Sequence, residues 1–257
     1  MRILKMLEDG KINADEAARL LEAVKSSSPP YGSRRRHRII NGLEHIPEII
    51  AAKINGSFKH ACVKTTKTFP SKEKIVFKGI SGDLKVLGKA EDTITVEQDG
   101  FVKTSEEANA LVLKGLGGDV KISTPHKTDV TVKGVSGNIA VEDIDGSLLV
   151  KSVSGDIHTQ NLKGDFQGAF VSGEVRLDYE NLKNIEISAK AANITLSMSK
   201  KTEASILIET LDGDIKCDFA LKDEEKTDHT LKGTLNKATS TISIRNEHGD
   251  VHLVKRD

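Results

Sequence analysis

From about residue 75 to the C-terminus, apolar and polar residues alternate, and glycine punctuates the alternation. Val130, Val132 and Val135 precede Gly137, with Ile139 and Val141 after it; Ile206, Ile208 and Leu211 precede Gly213, with Ile215 and Cys217 after it. A period of two predicts short strands with one buried face. The same phrase returns as FKGISGDLKV, LKGLGGDVKI, VKGVSGNIAV, VKSVSGDIHT, GAFVSGEVRL, IETLDGDIKC and IRNEHGDVHL. Its glycines (Gly82, Gly118, Gly137, Gly155, Gly173, Gly213 and Gly249) stand 36, 19, 18, 18, 40 and 36 residues apart, so each step holds one or two copies of a unit of 18 to 20 residues. The missing copies are expected at Asp99-Gly100, Ala192-Asn193 and near Gly233. Two short strands cannot bury their apolar face alone, whereas stacked units share one narrow core. The predicted fold is mainly β: a β-solenoid (parallel β-helix or prism) over residues 61–257. Eight to ten rungs at ~4.8 Å each would make it about 40 to 50 Å long.

The repeat has irregular places. At the apolar position two before the glycine the last unit carries Glu247, and the unit around Ala192 carries Lys190. Residues 220–238 are polar and predict a loop or irregular rung.

The first quarter of the chain follows a different period. Residues 1–25 read as two short helices around Asp9-Gly10, with Asn13 as N-cap, Glu16 reaching back to it and Ile12 stapling onto Ala17. Ile3, Leu4 and Leu7 on the first helix and Leu20, Leu21 and Val24 on the second form a candidate association surface, because so small a hairpin needs a partner to cover it. A Ser/Pro linker and a basic run fill residues 26–38. Ile39, Leu43, Ile46, Ile50, Ile54 and Phe58 then recur at helical spacing over 39–60, with a break at Pro47. Between residues 25 and 60 there are seven Lys/Arg against two Glu. Arg34, Arg35, Arg36 and Arg38 are therefore candidate contacts to an anionic membrane. The alternatives are a helix that caps the first rung and, less favoured, a nucleic-acid patch.

Composition narrows the function. Thirty-eight Lys+Arg balance 38 Asp+Glu, and the chain has no Trp. Zero net charge argues against a globally basic nucleic-acid binder, and the lack of Trp suits a narrow core of Val and Ile. Cys62 and Cys217 form no CxxC or Cys/His cluster, so they read as isolated packed thiols. The N-terminus lacks the apolar core of a signal peptide and no stretch is long enough to span a bilayer, which gives a cytoplasmic, at most membrane-peripheral, expectation.

The residues after the turn glycines, Asp83, Asp119, Asn138, Asp156, Glu174, Asn193, Asp214 and Asp250, would stack as an acidic column. Lys85, Lys121, His158, Arg176, Lys216 and His252, two residues on, would form a basic column that relieves its repulsion. One carboxylate per unit, sometimes Asn, with a Lys or His close by, is a poor calcium cage, so the acidic positions read as turn formers bonded to nearby backbone. The eight histidines fall in no catalytic or metal-binding spacing. Neither a catalytic set nor a cofactor is expected, and a glycan-active enzyme is the weakest of the functional readings.

With these residues in hand, the chain resembles the bacterial YvlB-like and LiaX-like proteins, which carry an adhesin-type domain of unknown function. ILKMLEDGKINADEAARLLEAV is similar to that family's SHOCT-like N-terminal hairpin, IPEIIAAKI to its intervening helix, and the SGD units to its β-solenoid. The resemblance implies no enzyme activity; it implies a scaffold or interaction protein linked to cell-envelope stress, self-associating or binding a protein partner through the hairpin.

Overall fold

The computed structural model describes residues 64–256, and the strands within them belong to one curled sheet. In chain order the strands are β1 (Thr65–Pro70), β2 (Lys74–Gly79), β3 (Leu84–Lys89), β4 (Thr93–Gln98), β5 (Phe101–Glu106) and β6 (Ala110–Gly117). Then come β7 (Val120–Pro125), β8 (Asp129–Gly134), β9 (Ile139–Glu142), β10 (Leu148–Ser152), β11 (Ile157–Gln160) and β12 (Leu162–Met198). The last six are β13 (Ala204–Asp212), β14 (Ile215–Cys217), β15 (Lys222–Lys226), β16 (Thr230–Leu235), β17 (Ser240–His248) and β18 (Val251–Lys255). β12 is long because it runs through two successive rungs without losing its ladder. Asn184 N donates to Asp165 Oδ1 at 3.2 Å, and Gln167 Nε2 donates to Glu186 Oε2 at 3.2 Å, so its early and late parts lie side by side.

Each rung is a strand, a sharp corner at the glycine, a second strand and a short return. The strands before the corners pair in parallel as one wall, and those after it as a second wall. The return legs stack as well: Lys163 N donates to the Ile144 carbonyl at 2.8 Å, and Asp145 N to that of His126 at 2.7 Å. The inward rows supply the core, with Ile75, Val86, Leu111, Val141, Val150, Ile208 and Leu253 at 0% exposure. Beta-branched and leucine side chains fill a space this narrow, and Phe166 and Tyr179 are the largest wholly enclosed rings.

The rungs are not stacked in sequence order. By register they run 110–125, 74–89, 129–142, 148–160, 166–178, 185–198, 240–255 and 204–217. The first and last pairs are exchanged, and these are the two 36-residue steps of the glycine pattern. The residues between the exchanged rungs close the ends. β4 runs antiparallel to β7 and β5 antiparallel to β6, while β16 runs antiparallel to β13 and β15 antiparallel to β16.

Ala192-Asn193 is the rung expected there. Asp99-Gly100 does sit in the corner column, but on a rung of reversed direction: Asp99 N donates to the Asp119 carbonyl at 2.9 Å. Gly233 is no corner; it lies inside β16 opposite Ile206. Of the loop or irregular rung expected over 220–238 the structure has the irregular rung, the antiparallel strands β15 and β16, and all five residues of β15 are exposed. A charged outer strand of this kind resists edge-to-edge pairing. The position two before the glycine also differs from expectation. Ile80, Val135, Val153 and Val171 are only half-buried, and Leu116 and Leu211 are 38% and 70% exposed, because the chain is turning the corner there and this side chain points outward. Glu247 and Lys190 therefore break no core position.

Candidate functional site

The corner column is where the repeat's polar residues converge. Asp119 Oδ1 accepts from Asp83 N at 3.0 Å, Asp83 Oδ1 from Asn138 N at 2.9 Å, Asn138 Oδ1 from Asp156 N at 3.2 Å, and Asp156 Oδ1 from Glu174 N at 2.9 Å. Farther along, Asn193 Oδ1 accepts from Asp250 N at 3.1 Å and Asp250 Oδ1 from Asp214 N at 2.9 Å. The column thus follows the spatial order of rungs, exchanged ends included. Each Asp or Asn satisfies a backbone N–H of the next rung that the corner would otherwise leave open. This refines the expected role: the partner is the neighbouring rung, not the residue's own turn. The glycines are required by the same stacking. Gly155 has φ 117°, and a Cβ there would lie 2.1 Å from the Gly137 carbonyl oxygen.

The basic column is less orderly than expected. Arg176 pairs with Glu174 of its own corner at 2.7 Å, whereas Lys85 pairs with Glu142 at 2.8 Å and Lys121 with Glu97 at 3.2 Å. His252 lies 3.2 Å from Asp218 and His248 3.7 Å from Asp212, so the two histidines serve different carboxylates. Among the described residues no three of His, Cys, Asp and Glu are grouped as a metal site needs. Cys217 is a half-buried free thiol whose pKa burial raises. A shallow groove of about 510 Å³ runs across the first wall, lined by Leu149, Asp165, Gln167, Asn184, Glu186 and Thr241 among others. Its polar groups are engaged with one another: Asn184 Nδ2 donates to Asp165 Oδ1 at 2.9 Å, and Thr241 Oγ1 donates to Asn184 Oδ1 at 2.8 Å.

One surface row was missed by the sequence reading. On the outer face of the first wall Lys103 is level with Lys114, Lys114 with Lys78, Lys78 with Lys133, and Lys133 with Lys151. The signal was present for four of them as Lys-Gly or Lys-Ser before a corner, but only the exchange of rungs puts these lysines in one line. None of the five enters an ion pair among the described residues. Farther along the same row the charges are matched, with Arg245 Nε 2.9 Å from Glu209. The Lys133 ammonium is held below the usual lysine range, first by burial and then by Lys78, Lys151 and Lys74. Lys163, flanked by Glu180 and Asp145 on a return leg, is shifted the other way.

The N-terminal candidates lie outside the described residues: Ile3, Leu4, Leu7, Leu20, Leu21 and Val24 of the expected hairpin, Arg34, Arg35, Arg36 and Arg38 of the basic run, and the segment 39–60. Among the described residues no helix is long and apolar enough to cross a membrane.

Fold and surface together define a repeat-built β-prism whose corner side chains maintain the stack and whose outer rows face solvent. The Toastrack DUF4097 family model matches residues 44–254, and the chain belongs to that family. A SHOCT-like domain model matches residues 1–28. Among solved structures, a candidate cell adhesion protein of Clostridium sporogenes ATCC 15579 is 10% identical with a TM-score of 0.47, over 76% of this chain and 100% of that one. A candidate adhesin of Bacteroides fragilis NCTC 9343 is 15% identical with a TM-score of 0.34, over 75% and 97%. One from Parabacteroides merdae ATCC 43184 is 14% identical with a TM-score of 0.25, over 76% and 97%. No curated protein matches the chain.

Proposed function

We propose that the protein is a non-enzymatic scaffold of the bacterial cell-envelope stress response, in which the SHOCT-like segment assembles copies or recruits a protein partner and the prism presents its walls. The observation that carries this reading is how the repeated polar side chains are used. The Asp and Asn of the corners hold one rung to the next, and the Asp165–Asn184–Thr241 set does the same at the far edge of the first wall. Chemistry needs a nucleophile or an acid–base pair free to meet a substrate; here the repeats have been spent on building a surface. Membership of the Toastrack family supports the non-enzymatic scaffold reading, and the envelope assignment rests on the resemblance of the N-terminal phrase to YvlB-like and LiaX-like proteins.

The test is sedimentation velocity of the full chain over a wide concentration range, beside a Leu4→Glu/Leu21→Glu double variant. The expected result is concentration-dependent association that the double variant loses while its thermal melt is unchanged. A wild-type chain that stays monomeric throughout would overturn assembly through this segment.

A further inference from the structure

We infer that the five-lysine row of Lys103, Lys114, Lys78, Lys133 and Lys151, with the apolar corner row beside it, is a docking face for an anionic lipid surface. Neighbouring strands lie ~4.8 Å apart, so the row spans about 19 Å of a single wall. Like charges level with one another across a sheet are destabilising, and the outer row brings no carboxylate to relieve them. A chain with equal numbers of acidic and basic residues has nonetheless gathered one sign here. Such a row is stabilised when an external anionic surface supplies the missing charge.

The neighbouring rows select a bilayer over a linear polyanion. Two residues beyond Lys114, Lys78, Lys133 and Lys151, on the same outward face, stand Leu116, Ile80, Val135 and Val153, half-buried or exposed. On the other side Val112 and Thr131 are buried and Val76 and Leu149 half-buried, so the corner row, with Leu116 38% exposed and none of its four residues buried, is the more open of the two flanks. Lysine ammoniums at the level of headgroups, with aliphatic side chains next to them reaching the acyl boundary, make an interfacial contact. A single charged polymer lying along the lysines would leave the aliphatic row in water. The face shares no residue with the basic run Arg34, Arg35, Arg36 and Arg38, and it adds a partner to the scaffold reading without depending on self-association.

Co-sedimentation of the full chain with vesicles tests it, using phosphatidylcholine alone and with about a third phosphatidylglycerol, at low and moderate salt. Binding is expected only to the anionic vesicles and should weaken with salt. A Lys78→Gln/Lys133→Gln/Lys151→Gln variant should lose on the order of 100-fold in partitioning, at roughly fivefold per lysine. Its thermal melt should be no lower than that of the wild type, because removing repulsion cannot unfold the wall. Ile80→Ser/Val135→Ser should weaken binding while leaving its salt dependence in place. The inference is overturned if the wild type ignores anionic vesicles, or if the triple-lysine variant binds as well as the wild type while Arg34→Gln/Arg35→Gln/Arg36→Gln/Arg38→Gln abolishes binding. It is equally overturned if the wild type binds soluble polyphosphate or an oligonucleotide through these lysines and leaves vesicles alone. Each of these results is independent of the sedimentation-velocity outcome.

Discussion

Replacing Asp156 with alanine removes one link of the corner column and isolates what such a link contributes. Asp156 Oδ1 accepts from Glu174 N at 2.9 Å, while the Asp156 N–H, bonded to Asn138 Oδ1 at 3.2 Å, is unaffected by the change. The Glu174 amide is left without its acceptor. A hydrogen bond to a charged group contributes about 1.5–3 kcal/mol when sheltered and nearer 1 when water can replace it. The corner is exposed, so the lower figure applies. For a domain of this size ~1 kcal/mol lowers Tm by about 2–4 °C. Asp156→Asn keeps the acceptor and loses only the charge, so it should fall by less than half as much.

Glu174→Ala is the matched control. Its carboxylate pairs with Arg176 at 2.7 Å, between side chains 57% and 42% exposed, and makes no bond to the next rung among the described residues. An ion pair this open contributes little. Thermal and urea denaturation of the three variants at one pH ranks them. If Asp156→Ala and Glu174→Ala lose the same stability, or if Asp156→Asn is as costly as Asp156→Ala, the corner side chains are not bonding rung to rung and the account of the column is wrong.

Gly155→Ala should cost about 3 kcal/mol or more, since positive φ strain adds to a contact of 2.1 Å with backbone oxygen; Gly134→Ala, whose nearest neighbour would be 4.0 Å away, should be nearly neutral by chemical denaturation. Tyr179→Phe should match or exceed the wild type by up to about 1 kcal/mol, because the buried Tyr179 hydroxyl has no hydrogen-bond partner among the described residues and burial pushes its pKa far up; a clear loss of stability would reveal a partner for it. Alkylation of Cys217 followed by peptide mass spectrometry should be several-fold slower than for a free thiol at pH 8 and should accelerate only well above that pH, since burial raises its pKa; a rate equal to the free thiol's would contradict this placement.

The repeat itself could be read from the chain because its signals are local. Alternation set the strands, glycine set the corners, and spacing marked Ala192-Asn193 as a rung even though its corner lacks a glycine. Order along the stack could not be read the same way. A 36-residue step fits one absent rung between neighbours equally well as two rungs trading places, and only the register of β2 against both β6 and β8 distinguishes them. The lysine row stayed hidden for that reason: Lys78 and Lys114 are neighbours only after the exchange. The corner side chains were correctly assigned to structure, but their partners lie on the next rung, 18 to 57 residues away, beyond the reach of local turn chemistry.

The exchanged ends change how the prism should come apart. In an ordinary solenoid each repeat touches only its sequence neighbours, so the ends fray one repeat at a time. Here the strand pair 74–89, the earliest parallel rung in sequence, lies between 110–125 and 129–142, and 240–255 lies between 185–198 and 204–217. Freeing either one breaks two ladders and a stretch of core, not one edge. The strands that do lie at the edges are β5, bonded to β6, and β15, bonded to β16, on the first wall, and β1, bonded to β4, and β14, bonded to β18, on the second. Amide hydrogen exchange of the native chain should therefore protect 74–89 and 240–255 as strongly as the central rung 148–160, with 101–106 and 222–226 exchanging first. If 74–89 instead exchanges along with 101–106, the rungs unfold in sequence order and the exchange gives no mechanical clamp. If its protection matches that of 148–160, the earliest parallel rung in sequence behaves as interior, and the 36-residue steps are what lock both ends of the stack.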